Sequence, residues 1–264
     1  MRKYLSYFKI SIGNTFAYRG PIIVWLVGNL FPIVTFSTLW LSASAGNQIA
    51  GFTRAELVTY YILGLLVEWL TNWYPYYWIK DEIADGSIVG SALTKPISNY
   101  WRIFSVESGW HFVTFFFGVI SVIALVLVAR NYFIFPYSLL NIVLSLASVI
   151  LSIFLIFSLS LCMGYLAFWF TKIDAVDSLF WAARMFLGGQ ALPISFLPHF
   201  MRVITFALPF RYMFSFPLEI YLGKVPASQL PSAFIIQAVW IVIFVLLARL
   251  MWIKGNQAYT SFGN

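Results

Sequence analysis

Five polar side chains fall inside otherwise apolar runs, where a membrane would make them expensive. Glu68 lies about 13 residues into the run that starts at Ala55, and Arg184 about 9 residues into the run that starts at Ala175. At about 1.5 Å of rise per residue, both come near mid-membrane. A charged side chain there costs roughly 2.5–3.5 kcal/mol on insertion scales, so it turns to the interior or to a partner. Glu107 and His111 stand at i, i+4 in the first turns of a third apolar run. Gln190 follows Gly188-Gly189 and adds a neutral donor and acceptor. Two arrangements are open for Glu68 and Arg184. They meet or share a polar cavity, within one subunit or across a subunit interface, or each finds backbone carbonyls or water separately.

Catalytic constellations are missing. The only histidines are His111 and His199, without H-E-x-x-H, and the single Cys162 excludes an internal disulfide or a cysteine metal cluster. In Gly86-Ser87-Ile88-Val89-Gly90 the serine stands one place too early for a nucleophile elbow. The same two glycines form a G-x-x-x-G in a polar loop, where it carries no packing weight. Asp174 and Asp177 sit at an interface rather than inside a span. No G-x-x-x-x-G-K-[ST] occurs, so any ATP site belongs to another chain. An enzyme is the weaker reading, and no cofactor is expected in this chain.

The elements that must hold these residues follow from composition. The 264 residues are 61% hydrophobic and 9% charged, with a mean hydropathy of +0.87. Soluble domains carry roughly 25% charged residues. The chain reads as an all-α membrane protein with a single domain, 1–264. The net charge of +7 reflects bases beside apolar spans, which orient a membrane protein, rather than a nucleic-acid surface.

Residues 1–20 predict an interfacial helix. Met1, Tyr4, Leu5, Phe8, Ile12 and Phe16 share one face, and Arg2, Lys3, Lys9 and Arg19 lie mostly off it. A signal peptide cleaved after Ala43-Ser44-Ala45 is disfavoured, because the apolar run is about 20 residues against about 7–15 for a signal core. Six spans are expected: 21–42, 55–79, 104–129, one long helix through 137–170, 175–192 and 233–252. Pro32 should kink the first span. The aromatics Trp69 to Trp78 late in the second read as an interface belt. From Pro193 to Pro231, six prolines cut apolar pieces too short to cross, which predicts two short re-entrant helices buried against the bundle. With the N-terminus in the cytoplasm, ten Lys and Arg fall inside and five outside. Both termini are then cytoplasmic, the 80–102 loop is cytoplasmic and the 193–231 segment extracellular.

The 80–102 loop holds three acids and three bases. Within it Ile88, Val89, Ala92 and Leu93 share a helical face, Gly86 can turn the chain before them, and Pro96 ends the helix near Lys95. This predicts a short amphipathic helix with an apolar face for a partner; the bland alternative is a solvated loop touching lipid headgroups.

This arrangement resembles the ABC exporter permeases of the type-2 class, and within it bacterial six-span permeases of about this length. The resemblance rests on Tyr7 to Arg19, Ile83-Ala84-Asp85-Gly86, Ser91, Leu93, Lys95-Pro96-Ile97-Ser98 and Leu192-Pro193-Ile194. It continues through Leu208-Pro209-Phe210-Arg211-Tyr212 to Pro217, Tyr221-Leu222-Gly223, and Trp252, Gly255, Tyr259 and Gly263. The family's usual basic residue before the loop glycine is Asp85 here. The resemblance implies a coupling helix in the first cytoplasmic loop that docks on an ATPase subunit. Asp85, Gly86, Ile88, Val89, Ala92, Leu93 and Lys95 are its contact residues. It also implies two permeases, identical or related, working with two ABC ATPase subunits that bind ATP, in a bacterial plasma membrane and among its lipids. The substrate path would be polar at Glu68, Arg184, Glu107, His111 and Gln190; a lipid, a glycan or an amphipathic drug would suit its aromatic content. The competing readings are an ATP-independent channel or secondary carrier, with Glu68 and Arg184 on a proton path, and a membrane scaffold. No internal repeat of the kind many carriers show is visible.

Overall fold

A computed structural model of the chain describes residues 2–17, 20, 24, 28, 31, 34–36, 38–39, 42, 48, 50–136 and 138–258. Most of the expected first span, the Ala43-Ser44-Ala45 site, Tyr259 and Gly263 lie outside the described residues. The described chain is helical: α1 (Arg2–Ala17), α2 (Arg54–Thr71), α3 (Tyr76–Ala84), α4 (Asn99–Val128), α5 (Leu139–Tyr165), α6 (Asp174–Leu187), α7 (His199–Ala207), α8 (Phe210–Met213), α9 (Ser215–Tyr221) and α10 (Leu230–Ala258). Short 3₁₀ turns at Leu166–Phe168, Ile194–Phe196 and Ala227–Gln229, and a π turn at Val89–Leu93, join them.

Among the described residues, three helices are long and apolar enough to cross a membrane: Asn99–Val128, Leu139–Phe168 and Ala227–Ala258. The long run through 137–170 is one helix, continued by its 3₁₀ turn, as a run with only Gly164 inside it requires. Its first turn is capped by the Ser138 hydroxyl, which accepts from the Leu140 N–H at 3.1 Å. In contrast, α6 has 14 residues, fewer than the roughly 20 a perpendicular span needs.

The second expected span is corrected. It is not one helix from 55 to 79 but α2 and α3, broken at Asn72–Pro75. Pro75 cannot donate to the preceding turn and caps α3 instead. A break in an apolar bundle frees backbone groups that need partners. Several find partners here. The Trp73 backbone N–H donates to Thr71 at 2.8 Å and its indole N–H to the Leu70 carbonyl at 2.9 Å. The Asn72 carbonyl lies 2.9 Å from His111 Nε2, and the Tyr76 N–H donates to Ser160 Oγ at 3.2 Å.

The segment 193–231 forms three short α-helices and two 3₁₀ turns rather than two helices. Its inner part is buried against α5 and α10, which answer its free carbonyls with small polar side chains. Ser145 donates to the Pro217 carbonyl at 2.7 Å and Ser152 to the Tyr212 carbonyl at 2.6 Å. The Gln237 amide N–H also reaches the Tyr212 carbonyl, at 3.1 Å.

Helix α1 lies against α4, but not through the whole face expected of it. Ser11 and Thr15 are the residues it buries, with Tyr4, Tyr7, Phe8 and Ile12 half-buried, while Leu5 and Phe16 stay exposed. The reason is close approach at Gly109, where an added Cβ would lie 2.6 Å from the Phe8 carbonyl oxygen and from Ser11 Cβ. Ser11 donates to the Val106 carbonyl at 2.6 Å across this contact.

Candidate functional site

The chemistry gathers where α2, α6 and the Gly188–Ala191 turn converge. Arg184 and Glu68 meet directly, as a two-pronged pair. Arg184 Nη1 donates to Glu68 Oε1 at 2.9 Å and Nη2 to Oε2 at 2.7 Å. The flat guanidinium matches the carboxylate in this geometry, which fixes direction as well as distance. Gln190 Nε2 adds a third donor to Glu68 Oε2 at 2.7 Å.

Local structure explains how Gln190 arrives there. Helix α6 ends at Leu187, and Gly189 then takes φ +88°, a conformation that a side chain disfavours. An added Cβ would also lie 2.7 Å from Ser215 Cβ and 2.8 Å from the Tyr60 hydroxyl. The Tyr60 hydroxyl donates to the Gly189 carbonyl at 2.8 Å, and Tyr61 donates to the Ala191 carbonyl at 3.0 Å. Two tyrosines of α2 therefore hold the turn that carries Gln190 back over Glu68.

Arg184 is completely buried. Its guanidinium lies 5.4 Å from the Tyr74 ring centroid and 5.5 Å from that of Trp181. Ring faces are negative, so these rings offset part of the cost of desolvating the charge. They are site residues the sequence reading missed. Tyr74 lies in the helix break, and only the break turns its ring toward α6. Next to it, the Tyr76 hydroxyl bonds the Asp177 carboxylate, and Trp181 Nε1 donates to the Tyr77 hydroxyl at 3.1 Å. The aromatics read as an interface belt thus tie α3 to α6.

Glu68 is not sealed. Its side chain is 17% exposed and forms part of a cavity of about 400 Å³ with Tyr61, Trp181, Met185, Gln190 and Phe214. The cavity is apolar apart from the Glu68 and Gln190 edge. That is the usual make-up of a small-molecule site, in which a few polar groups fix orientation.

Glu107 and His111 sit apart from this cluster. The Glu107 carboxylate accepts from Trp78 Nε1 at 2.8 Å. Both ring nitrogens of His111 lie 2.9 Å from backbone carbonyls, those of Glu107 and Asn72, and the ring stacks on Trp73 at 4.5 Å. His111 is therefore fixed by the helix break that it helps to satisfy.

The loop of the expected partner contact differs in two respects. The turn is a π turn, closed by Thr94 N–H to Val89 O at 3.1 Å, and not an α-helix. Moreover, Ile88 is 0% exposed and Ala92 buried, both in the main core beside Ile83 and Ile103, with Val89 half-buried against it. Spacing grouped the four apolar residues on one face; it did not say that the chain's own core covers most of that face. Leu93, 38% exposed, is the large apolar side chain left at the surface. It stands with Asp85, Ser87, Gly90, Thr94 and Lys95, all exposed.

This tip is held from several sides. Gly86, at φ +82°, follows the last turn of α3 in the left-handed conformation typical after a helix end. Asp85 Oδ1 accepts the Ser87 backbone N–H at 2.9 Å, which holds its carboxyl below the usual carboxylate range. Arg102 makes a two-pronged pair with Glu82 of α3, at 2.8 and 3.3 Å. From α1, the Tyr4 hydroxyl accepts the Ser98 N–H at 3.0 Å, and Lys95 Nζ donates to the Tyr7 hydroxyl at 3.4 Å.

Such a molecule is a multi-pass helical membrane protein with a guanidinium–carboxylate cluster beside a largely apolar cavity and a tethered polar loop. Residues 24–263 match the ABC-2 family transporter proteins, and the chain belongs to that family. It is thus an ABC-2 type permease, a membrane transport component that works with an ABC ATPase subunit. No curated protein and no solved structure matches it.

Proposed function

We propose that the chain is the membrane subunit of an ATP-driven exporter, and that α3 is the lever between its ATPase contact and its substrate cavity. The observation that carries this reading is the placement of α3. One end runs into the exposed tip Asp85–Lys95; the other carries Tyr76 and Tyr77, bonded to Asp177 and Trp181 of α6. Nine residues of helix span about 13 Å. A rigid rod of that length passes displacement at the tip to the helix that holds Arg184. In this reading six spans place both termini and the tip in the cytoplasm of a bacterial cell, and the 193–231 segment caps the outer end. Two copies, or this chain and a related permease, pair with two ATPase subunits that bind the ATP.

Leu93 supplies the apolar anchor on the ATPase, with Asp85 and Lys95 at the edge of the contact and Gly86 setting its angle. Ile88, Val89 and Ala92 bind the tip to the permease instead. The cavity at Glu68, Arg184 and Gln190 takes an amphipathic substrate: a lipid, a glycolipid or an amphipathic drug. Its apolar wall holds the tail and the Glu68–Gln190 edge orients the polar head.

The test is Leu93→Asp. A buried Leu contributes about 1.5–3 kcal/mol to a contact, and a charge in its place opposes binding. Expression and membrane insertion should stay at wild-type levels, because Leu93 is outside the core, while capture of the ATPase by the tagged permease falls at least tenfold. Wild-type capture by Leu93→Asp would overturn the assignment of the tip.

A further inference from the structure

The Glu107 carboxylate lies eight residues into α4, about 12 Å along the helix from Asn99. It is buried, yet no Lys or Arg among the described residues pairs with it. His111 Nδ1 is 4.0 Å from one oxygen, but that ring is held by the two backbone carbonyls. A buried carboxylate with one hydrogen bond is costly unless a cation or a proton meets it.

A cavity of about 220 Å³ opens on this group, walled by Trp69, Tyr74, Tyr77, Trp78 and Trp110. Two polar atoms buried in these walls, Trp69 Nε1 and the Tyr74 hydroxyl, have no hydrogen-bond partner among the described residues. On its other side Glu107 borders a second cavity of about 350 Å³, which shares Trp78 and Trp110 and runs under α1 past Tyr7 and Ile10. Ile10 is exposed. The first cavity is smaller than the roughly 300–1,000 Å³ of a drug-sized site and suits a head group; the second gives a chain a way out.

We propose that the Glu107 cavity binds the ammonium head of an amphiphile, with the carboxylate as counter-charge, the Trp and Tyr rings as walls and the tail under α1. Aromatic walls around a carboxylate are the chemistry that holds alkylammonium ions. Two of these rings already lie near cations: Arg102 is 5.6 Å from the Trp78 centroid and Arg184 5.4 Å from that of Tyr74. Neither guanidinium competes for Glu107, since Glu82 neutralises Arg102 and Glu68 neutralises Arg184. The site is separate from the Glu68 cavity, and binding is read without an ATPase. Failure here therefore leaves the lever reading standing, and the converse also holds.

The test is a titration of tryptophan fluorescence in purified permease held in uncharged maltoside micelles. The probes are dodecyltrimethylammonium and its neutral twin with carbon in place of nitrogen. The cation should bind saturably and about tenfold more tightly than the twin, a gap of about 1.4 kcal/mol. Glu107→Gln should remove that preference. It keeps an oxygen for the Trp78 N–H, so the fold persists. Independently, Trp110→Phe should retain binding and Trp110→Leu lose it. Equal binding of the two probes, an unchanged preference in Glu107→Gln, or wild-type affinity in Trp110→Leu would each overturn the proposal. Added phosphatidylethanolamine, with phosphatidylglycerol as control, identifies the source. Competition assigns the site to a lipid head and its absence to a free amphiphilic cation; either accords with the proposal once the cation preference is seen.

Discussion

Among the described residues, two of the buried arginine–glutamate pairs sit in instructively different surroundings. Arg211 and Glu219 are eight residues apart in one segment, at 2.6 Å, with the guanidinium 4.2 Å from the Phe206 centroid and 5.3 Å from that of Phe216. Arg184 and Glu68 come from helices 116 residues apart, and their carboxylate borders a cavity. The first pair closes a local knot of short helices. The second joins two helices, α2 and α6, and its carboxylate borders a cavity of about 400 Å³. A buried pair becomes a functional candidate through what it connects and what it faces, and not through its distance.

The comparison breaks first at the local knot. Glu219→Leu leaves the Arg211 charge buried without its partner, a loss of about 3–5 kcal/mol. We expect most of the variant to be misfolded, read as loss of the monodisperse peak in detergent. A wild-type melting temperature would show that the knot is not closed by this pair.

The cavity pair should respond differently. Glu68→Gln keeps hydrogen-bond capacity toward Arg184, and water in the cavity can offset part of the lost charge. A loss of about 1–3 kcal/mol follows, with folded protein retained. Combined with Arg184→Gln, the effects should fall short of additive by about 0.5–3 kcal/mol in a double-mutant cycle of thermal stability. Full additivity would mean that the two side chains act independently.

A smaller effect sharpens the picture. Gln190→Leu removes one hydrogen bond to Glu68 and should cost about 0.5–1.5 kcal/mol of stability. Its larger consequence should be in transport, because it takes a polar group from the cavity edge. Unchanged transport with the same loss of stability would confine Gln190 to a structural part.

Particular residues show what the sequence made legible. Depth along two apolar runs sufficed to bring Glu68 and Arg184 to one level, because helical rise is fixed and a membrane penalises both charges. The helix through 137–170 was legible because nothing in it could turn. The break at Asn72–Pro75 was not, although Pro75 marked it. Six aromatics around it fitted an interface belt equally well, and their true partners, Leu70, Glu107 and Asp177, are defined only by tertiary packing. The loop shows the same limit. Period 3.6 placed Ile88 and Ala92 beside Leu93, but burial by Ile83 and Ile103 depends on where α3 and α4 lie. For α1, Ser11 lies off the apolar face that the spacing picks out, and only the close approach at Gly109 brings its side chain into the contact.

The central claim, that α3 links the loop tip to the Glu68–Arg184 cavity, can be read at Met185, which lines the cavity and is partly exposed. The measurement is thiol labelling of Met185→Cys in a background where Cys162 is replaced by serine, in membranes holding the permease and its ATPase, with and without ATP. The account predicts that ATP changes the labelling rate severalfold and that adding Leu93→Asp abolishes this change while basal labelling stays the same. A rate indifferent to ATP in the wild-type tip, or an ATP response that survives Leu93→Asp, would contradict it.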